Sequence, residues 1–187
     1  MKISQLVVDG VWLVESPVWN DDRGLFREWF KAAEVKSATG RDFGIEQANI
    51  SLSSAGTLRG IHYSIAPRGQ AKWITCVSGS IQDVIVDIRP ESKTFGQWID
   101  VELKGDSGNA VLISERLGHG FLALEDNTSV AYLASTPFSP TNEFEINPLD
   151  EKIGIKWGMD LISLKISEKD KIAPTLAERL AEGKLPK

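Results

Sequence analysis

"KWITCVSGSIQDVIVDIRP", residues 72–90, decides the fold class. Two β-branched runs meet at Ser78-Gly79-Ser80, a small-residue break that reads as a turn between strands and predicts a hairpin. The pattern recurs outward along the chain. Residues 95–114, "FGQWIDVELKGDSGNAVLIS", turn at "GDSGN", and residues 120–136, "GFLALEDNTSVAYLAST", turn at "EDNT". Upstream, "IEQANISLS" at 45–53 alternates apolar and polar residues as a half-buried strand does. Short strands separated by turns predict an all-β sandwich or jelly roll. Helical signals stay at the periphery. "FKAAEVKSATG" at 30–40 reads as a short helix ended by Gly40, and "APTLAERLAEGK" at 173–184 as a helix with Pro174 near its start and Gly183 beyond its end. No repeat, low-complexity tract or linker divides the chain, so residues 1–187 read as one domain with a C-terminal helical extension from about 171.

Composition narrows the function. With 42% hydrophobic and 25% charged residues, the 187-residue chain has the make-up of a soluble globular protein that can bury a core. Its net charge of −5 argues against a broad nucleic-acid surface, which needs a basic stripe. The N-terminal "MKISQLVVDGVWLVE" lacks the apolar run of a signal peptide, and no stretch approaches the ~18 apolar residues of a spanning helix. Cys76, the only cysteine, rules out an internal disulfide. Together these features predict a cytoplasmic protein with no membrane or nucleic-acid partner.

The chain has two histidines, His62 and His119. His62 lies in "LRGIHYSIAPRGQAKW", residues 58–73, among Arg59, Arg68 and Lys72. Such a local cluster of cations in an acidic protein suits a small anionic ligand. Cupin-type jelly rolls often hold a metal with three histidines and a glutamate, two of the histidines in an H-x-H pair. Position 64 here is Ser64, so a three-histidine site is impossible, although two histidines and a carboxylate remain a conceivable set. A neutral imidazole with its ordinary pKa near 6.5 suits a general base; the competing reading is a hydrogen-bonded structural histidine at a strand end.

A set of spaced motifs separates the two. "DDRGLFREWF" (21–30), "QANIS" (47–51), "LRGIHY" (58–63), "GQAKW" (69–73), "GSIQDVIVDIRPESKTFGQW" (79–98), "LGHGFLAL" (117–124), "NPLDEKIGIKW" (147–157) and "SEKD" (167–170) follow one another as in the dTDP-4-dehydrorhamnose 3,5-epimerases. The resemblance runs from about residue 10 to 175, and the "GQAK" and "NPLD" variants are closer to the epimerases of antibiotic deoxysugar pathways than to those making cell-wall rhamnose. It implies a cupin-type jelly-roll barrel, a homodimer, and a dTDP-linked 4-keto-6-deoxy sugar as substrate, epimerised at C3 and/or C5 through an enolate. No metal and no other cofactor is implied.

The resemblance also implies roles. His62 is similar to the family's base, Asp170 to the carboxylate that orients it, and Lys72 to the cation beside the sugar C4 oxygen. Arg59 and His119 are similar to residues touching sugar or phosphates. Arg23, Gln47 and Asn49 resemble nucleotide contacts, Arg23 being delivered by the partner subunit. Phe26 is similar to an aromatic packed on the thymine and Glu28 to a polar residue of the same pocket. Phe121, Phe138 and Glu143 complete the implied substrate-binding set. Strand alternation places Asp83, Ile85 and Asp87 on one face, with one or both acids available to support Lys72 or His62.

The chain departs from the family at "STPFSP", 135–140, where a Tyr-Tyr pair is expected and the second tyrosine supplies the acid. Pro137 and Phe138 stand there, and phenylalanine has no proton to give. Tyr132, six positions earlier, receives no role on this reading. The proton then comes from water, or one carbon only is epimerised, or the chain binds the sugar nucleotide without turnover. A cupin 3,4-ketoisomerase is a further alternative.

Overall fold

The computed structural model describes residues 1–67 and 69–186. Its strands are β1 (Lys2–Gln5), β2 (Val11–Glu15), β3 (Val18–Asp21), β4 (Gly24–Arg27), β5 (Gln47–Ser53), β6 (Thr57–Ser64), β7 (Lys72–Ser78), β8 (Ser80–Asp87), β9 (Trp98–Lys104), β10 (Asn109–Ile113), β11 (Leu117–Ala123), β12 (Thr128–Ala134), β13 (Glu143–Glu145) and β14 (Lys165–Ile166). Three short helices are α1 (Ala32–Thr39), α2 (Glu168–Lys171) and α3 (Leu176–Ala181). Arg68, one of the cations beside His62 in the sequence, lies outside the described residues.

The protein is all-β. One sheet runs β1-β2-β10-β7-β12-β5 and the other β13-β6-β11-β8-β9, with β14 pairing parallel to β6. The predicted hairpins are corrected by this order. β7 and β8 lie in different sheets, as do β9 and β10, and β11 and β12. Each turn read from the sequence is real, but the chain uses it to cross from one sheet to the other. Turn residues report a reversal of direction; they do not report which strand becomes the hydrogen-bonded neighbour.

The two sheets face each other. Ile74, Cys76, Val111, Ile113 and Val130 of the first pack against Ile81, Ile85, Leu103, Leu117 and Phe121 of the second in one buried cluster. Burying a side chain of this size contributes on the order of 1.5–3 kcal/mol. Strand β8 is buried at all eight positions. Its odd-numbered residues face the opposite sheet, as alternation required, while Val84 and Val86 face outward and are covered by Ile146, Ile153, Leu176 and Leu185 of the C-terminal segment. Helix α1 covers the outer face of the first sheet, with Val35 packed near Trp73 and Leu133, and ends at Gly40 in the left-handed conformation at φ 72°. Helix α3 starts one residue after Thr175, which forms a capping box with Glu178; Pro174 stands just before the cap. Hairpin β3–β4 forms a two-stranded sheet of its own.

Candidate active site

A cavity of about 570 Å³ opens between the sheets, lined by residues that include Arg59, His62, Lys72, His119, Phe121, Tyr132 and Asp170. That size suits a small-molecule ligand. Strands β6 and β11 supply His62 and His119 at paired positions of one sheet. The strands approach closely because both carry glycine there: a Cβ on Gly60, at φ 112°, would lie 2.5 Å from Gly120 Cα. Across the cavity, β7 and β12 of the facing sheet supply Lys72 and Tyr132. Alternation along β12 turns Val130 and Tyr132 inward together.

Each histidine is tied to a buried aspartate. His62 Nε2 lies 2.8 Å from Asp170 Oδ1, and His119 Nε2 lies 2.7 Å from Asp83 Oδ1. Burial raises the Asp170 carboxyl, but the His62 hydrogen bond and charge, together with bonds from Ser167 and the Gly60 amide, outweigh it and hold the group below the usual aspartate value. Asp170 thus stays ionised and favours the His62 tautomer that carries its proton on Nε2, leaving Nδ1 as an acceptor. Asp83 therefore supports His119, with its Oδ2 buried and unpartnered among the described residues, and contributes to the field around Lys72. Asp87 does neither; it binds Arg89, Ser92 and Thr94 at the end of β8.

Burial also pulls the Lys72 ammonium below the ordinary lysine value, against the opposing pull of Glu143 and Asp83. Burial and the Glu143 charge raise the Tyr132 phenol above its usual value, partly offset by Arg59. Glu143, on β13, has a buried Oε1 without a partner among the described residues. Lys72 and Tyr132 thus stand near one wall of the cavity, opposite the His62 imidazole.

The remaining expected residues are dispersed. Gln47 and Asn49 on β5 bond to each other at 2.8 Å, beside Tyr132 through the Asn49–Tyr132 strand pairing, and lie outside the cavity lining. Arg23 and Phe26 project on the β3–β4 hairpin, and Glu28 follows it on the surface, paired with Lys31 at 2.6 Å. None of the three lines the cavity within a single chain.

Phe138 is 60% exposed and outside the lining; its amide donates to Gln47 Oε1. Tyr132, given no role from the sequence, occupies the cavity. Phe138 lies beyond the end of β12, whereas alternation along β12 turns Tyr132 inward with Val130. Sequence reasoning also missed Lys165 and Lys169, which add two cations to the lining. Among the described residues, no three His, Cys, Asp or Glu side chains form a group able to hold a metal ion, and no helix is long and apolar enough to cross a membrane.

Known proteins resemble this chain in sequence and fold. The family profile described as dTDP-4-dehydrorhamnose 3,5-epimerase matches residues 5–178. A dTDP-4-dehydrorhamnose 3,5-epimerase from Mycolicibacterium smegmatis is 44% identical over 186 residues, covering 100% of this chain and 91% of that one. The solved structure of an epimerase from Mycobacterium tuberculosis superposes with a TM-score of 0.96 at 41% identity, over 100% of this chain and 94% of its own. ChmJ, a 3'-monoepimerase from Streptomyces bikiniensis solved with dTDP, superposes with a TM-score of 0.93 at 38% identity, over 98% of this chain and 92% of that one. That ChmJ chain is a double mutant, histidine to asparagine and tyrosine to phenylalanine, at positions 70 apart, the separation of His62 and Tyr132 here. By sequence, fold and the content of its cavity, the chain belongs to the dTDP-4-dehydrorhamnose 3,5-epimerase family.

Proposed function

We propose that the protein is a sugar-nucleotide epimerase that inverts C3, C5 or both in a dTDP-linked 4-keto-6-deoxyhexose. The observation that carries the reading is the placement of His62 and Tyr132 on facing sheets, on opposite walls of one cavity. Inversion needs a base on one face of a carbon and an acid on the other, and a barrel wall apiece supplies them. The C4 ketone acidifies the adjacent C–H bonds. His62 Nδ1 takes a proton, the electron pair moves onto the C4 oxygen as an enolate, and Lys72 meets the charge that develops there. Tyr132 returns a proton from the other face. A proton leaves and a proton returns to the same carbon, so the step changes no oxidation state and requires no redox cofactor.

Arg59 and Lys165 give the cavity the positive charge a diphosphate calls for. The nucleotide is assigned to Gln47, Asn49 and the β3–β4 hairpin of a second copy. Arg23 and Phe26 are 86% (side chain) and 64% exposed in one chain, and β5 presents Ile50 and Leu52 at 77% and 66%. Exposed aromatic and aliphatic groups on a projecting hairpin and an edge strand suit a homodimer in which each hairpin completes the partner's site. We place this one-domain, cupin-type barrel in the cytoplasm, where its lone, buried Cys76 stays reduced.

Incubation with dTDP-4-keto-6-deoxyglucose in D₂O, followed by NMR, tests the reading. Deuterium should enter C3, C5 or both, with inverted product accumulating. Absence of label at both carbons would remove the epimerase assignment, and label at C3 alone would identify a mono-epimerase.

A further inference from the structure

Asp170 sits on α2, a helix of four residues, too short to hold its own geometry. Ser167 caps it, and the Lys171 carbonyl accepts from Asn147 Nδ2 at 3.0 Å. A side-chain tie to β13 falls on the residue next to Asp170. Lys169 Nζ lies 3.0 Å from Glu145 Oε2, although Lys169 is one of the groups that line the cavity. Glu145 is the strand partner of His62 in the β13–β6 pairing, and it lies outside the cavity lining.

Glu145 is itself held from behind. Arg179 of α3 donates to its carbonyl through Nε at 2.9 Å and lies 3.7 Å from its carboxylate, while bonding Glu182 and lying over the Phe144 ring. The Glu145 side chain is 16% exposed against 63% for Lys169, so the acid is the fixed member of the pair and the lysine the mobile one. Helix α3 and the segment after it have independent anchors in the Asp150 bond to the Leu176 amide and the Tyr63 bond to the Lys184 carbonyl. Loss of the Glu145 charge leaves that packing in place and releases Lys169.

We propose that Glu145 is a positioning residue for the His62–Asp170 pair: by holding the Lys169 ammonium, it keeps that cation from turning to the neighbouring Asp170 carboxylate and displacing His62. The inference rests on the epimerase reading for its consequence in turnover. A carboxylate shared between an ammonium and an imidazole no longer fixes the ring, and small misplacement of a reacting group is costly.

The test compares Glu145→Gln, Lys169→Gln and the double variant in two measurements. In turnover, Glu145→Gln should lower kcat about tenfold, with KM and dTDP affinity within about twofold of wild type. The double variant should return to within about twofold of the kcat of Lys169→Gln alone, because the displaced cation is gone. The second measurement needs no substrate. The low-field imidazole N–H proton of His62, assigned by its loss in His62→Asn, should weaken or vanish in Glu145→Gln and reappear in the double variant. A double variant as slow as Glu145→Gln, a loss carried by KM, or an unchanged N–H signal in Glu145→Gln would each overturn the proposal. Absence of deuterium uptake by the wild type would instead strike at the epimerase reading, and the N–H signal would still decide the role of Glu145.

Discussion

His62 and Asp170 meet through Nε2 of the imidazole at 2.8 Å, 108 residues apart in the chain, and this contact assigns the basic nitrogen. On the proposed function, the carboxylate holds the proton on Nε2 and the acceptor toward a sugar C–H is Nδ1. Replacing His62 with Asn keeps much of the size and hydrogen bonding but removes the base. Deuterium uptake should disappear in His62→Asn while dTDP affinity, measured by calorimetry, stays within about threefold; persistence of exchange would mean that another group is the base. Asp170→Asn should retain slow exchange, down about 10²–10⁴-fold, since it disturbs tautomer and charge without touching substrate.

Tyr132, on the wall facing His62, makes a prediction of a different kind. On the proposed function, phenylalanine at this position removes the acid and leaves the base. In Tyr132→Phe the enolate still forms, and its proton returns from the imidazolium on the original face. Label should therefore enter recovered, un-inverted substrate, while inversion falls by about 10²–10⁴-fold. Phe138→Tyr should change the ratio of inversion to exchange little, because Phe138 is outside the lining. If Phe138→Tyr raised that ratio several-fold and Tyr132→Phe left it alone, the two roles would have to be exchanged.

These assignments separate what a chain shows on its face from what folding adds. Strand periodicity was legible at β8, where Asp83, Ile85 and Asp87 share a face, and turn chemistry was legible at Gly79. Neither carries information about which sheet receives the next strand, so three apparent hairpins became crossovers. His62 and Lys72 were legible because they stand in one dense motif. Tyr132 receives no role from the sequence because the tyrosine-pair pattern falls at positions 137 and 138, beyond the end of β12. The His119–Asp83 and Lys169–Glu145 pairs join residues 36 and 24 positions apart, and only the folded chain brings their charges together.

Asp87 offers a prediction about acid stability. It is fully buried, and burial alone would raise its carboxyl; two bonds from the Arg89 side chain and one each from Ser92 and Thr94 outweigh this and bring it to about 2, from an ordinary 3.8. A carboxyl lowered on folding stabilises the protein above its unfolded value, and that contribution is lost as the pH falls through the folded one. The window is therefore about pH 4 down to pH 2, and the size is on the order of 2 kcal/mol. Denaturant titrations should show Asp87→Asn weakened by roughly this amount at pH 7, with a shallower acid loss than wild type. Parallel acid curves for the two proteins would mean that Asp87 does not drive the decline.

The hairpin yields the prediction that joins assembly to catalysis. Within one chain Arg23 bonds only Asp21 among the described residues, and its guanidinium is far more exposed than a substrate contact should be. If a second copy receives it, Arg23→Ala should raise KM about tenfold, the loss of one charge-assisted contact, with kcat nearly unchanged. Sedimentation at micromolar protein should show a dimer. Mixed subunits then identify the owner of the site. In a heterodimer of His62→Asn and Arg23→Ala chains, one cavity has an intact His62 and receives an intact Arg23 from its partner, while the other lacks both. Remixing the two variants by mild denaturation and refolding should give activity at low substrate well above the sum of the separate proteins. An Arg23 that serves its own chain's cavity would show no such gain, because every site in the mixture would keep one defect.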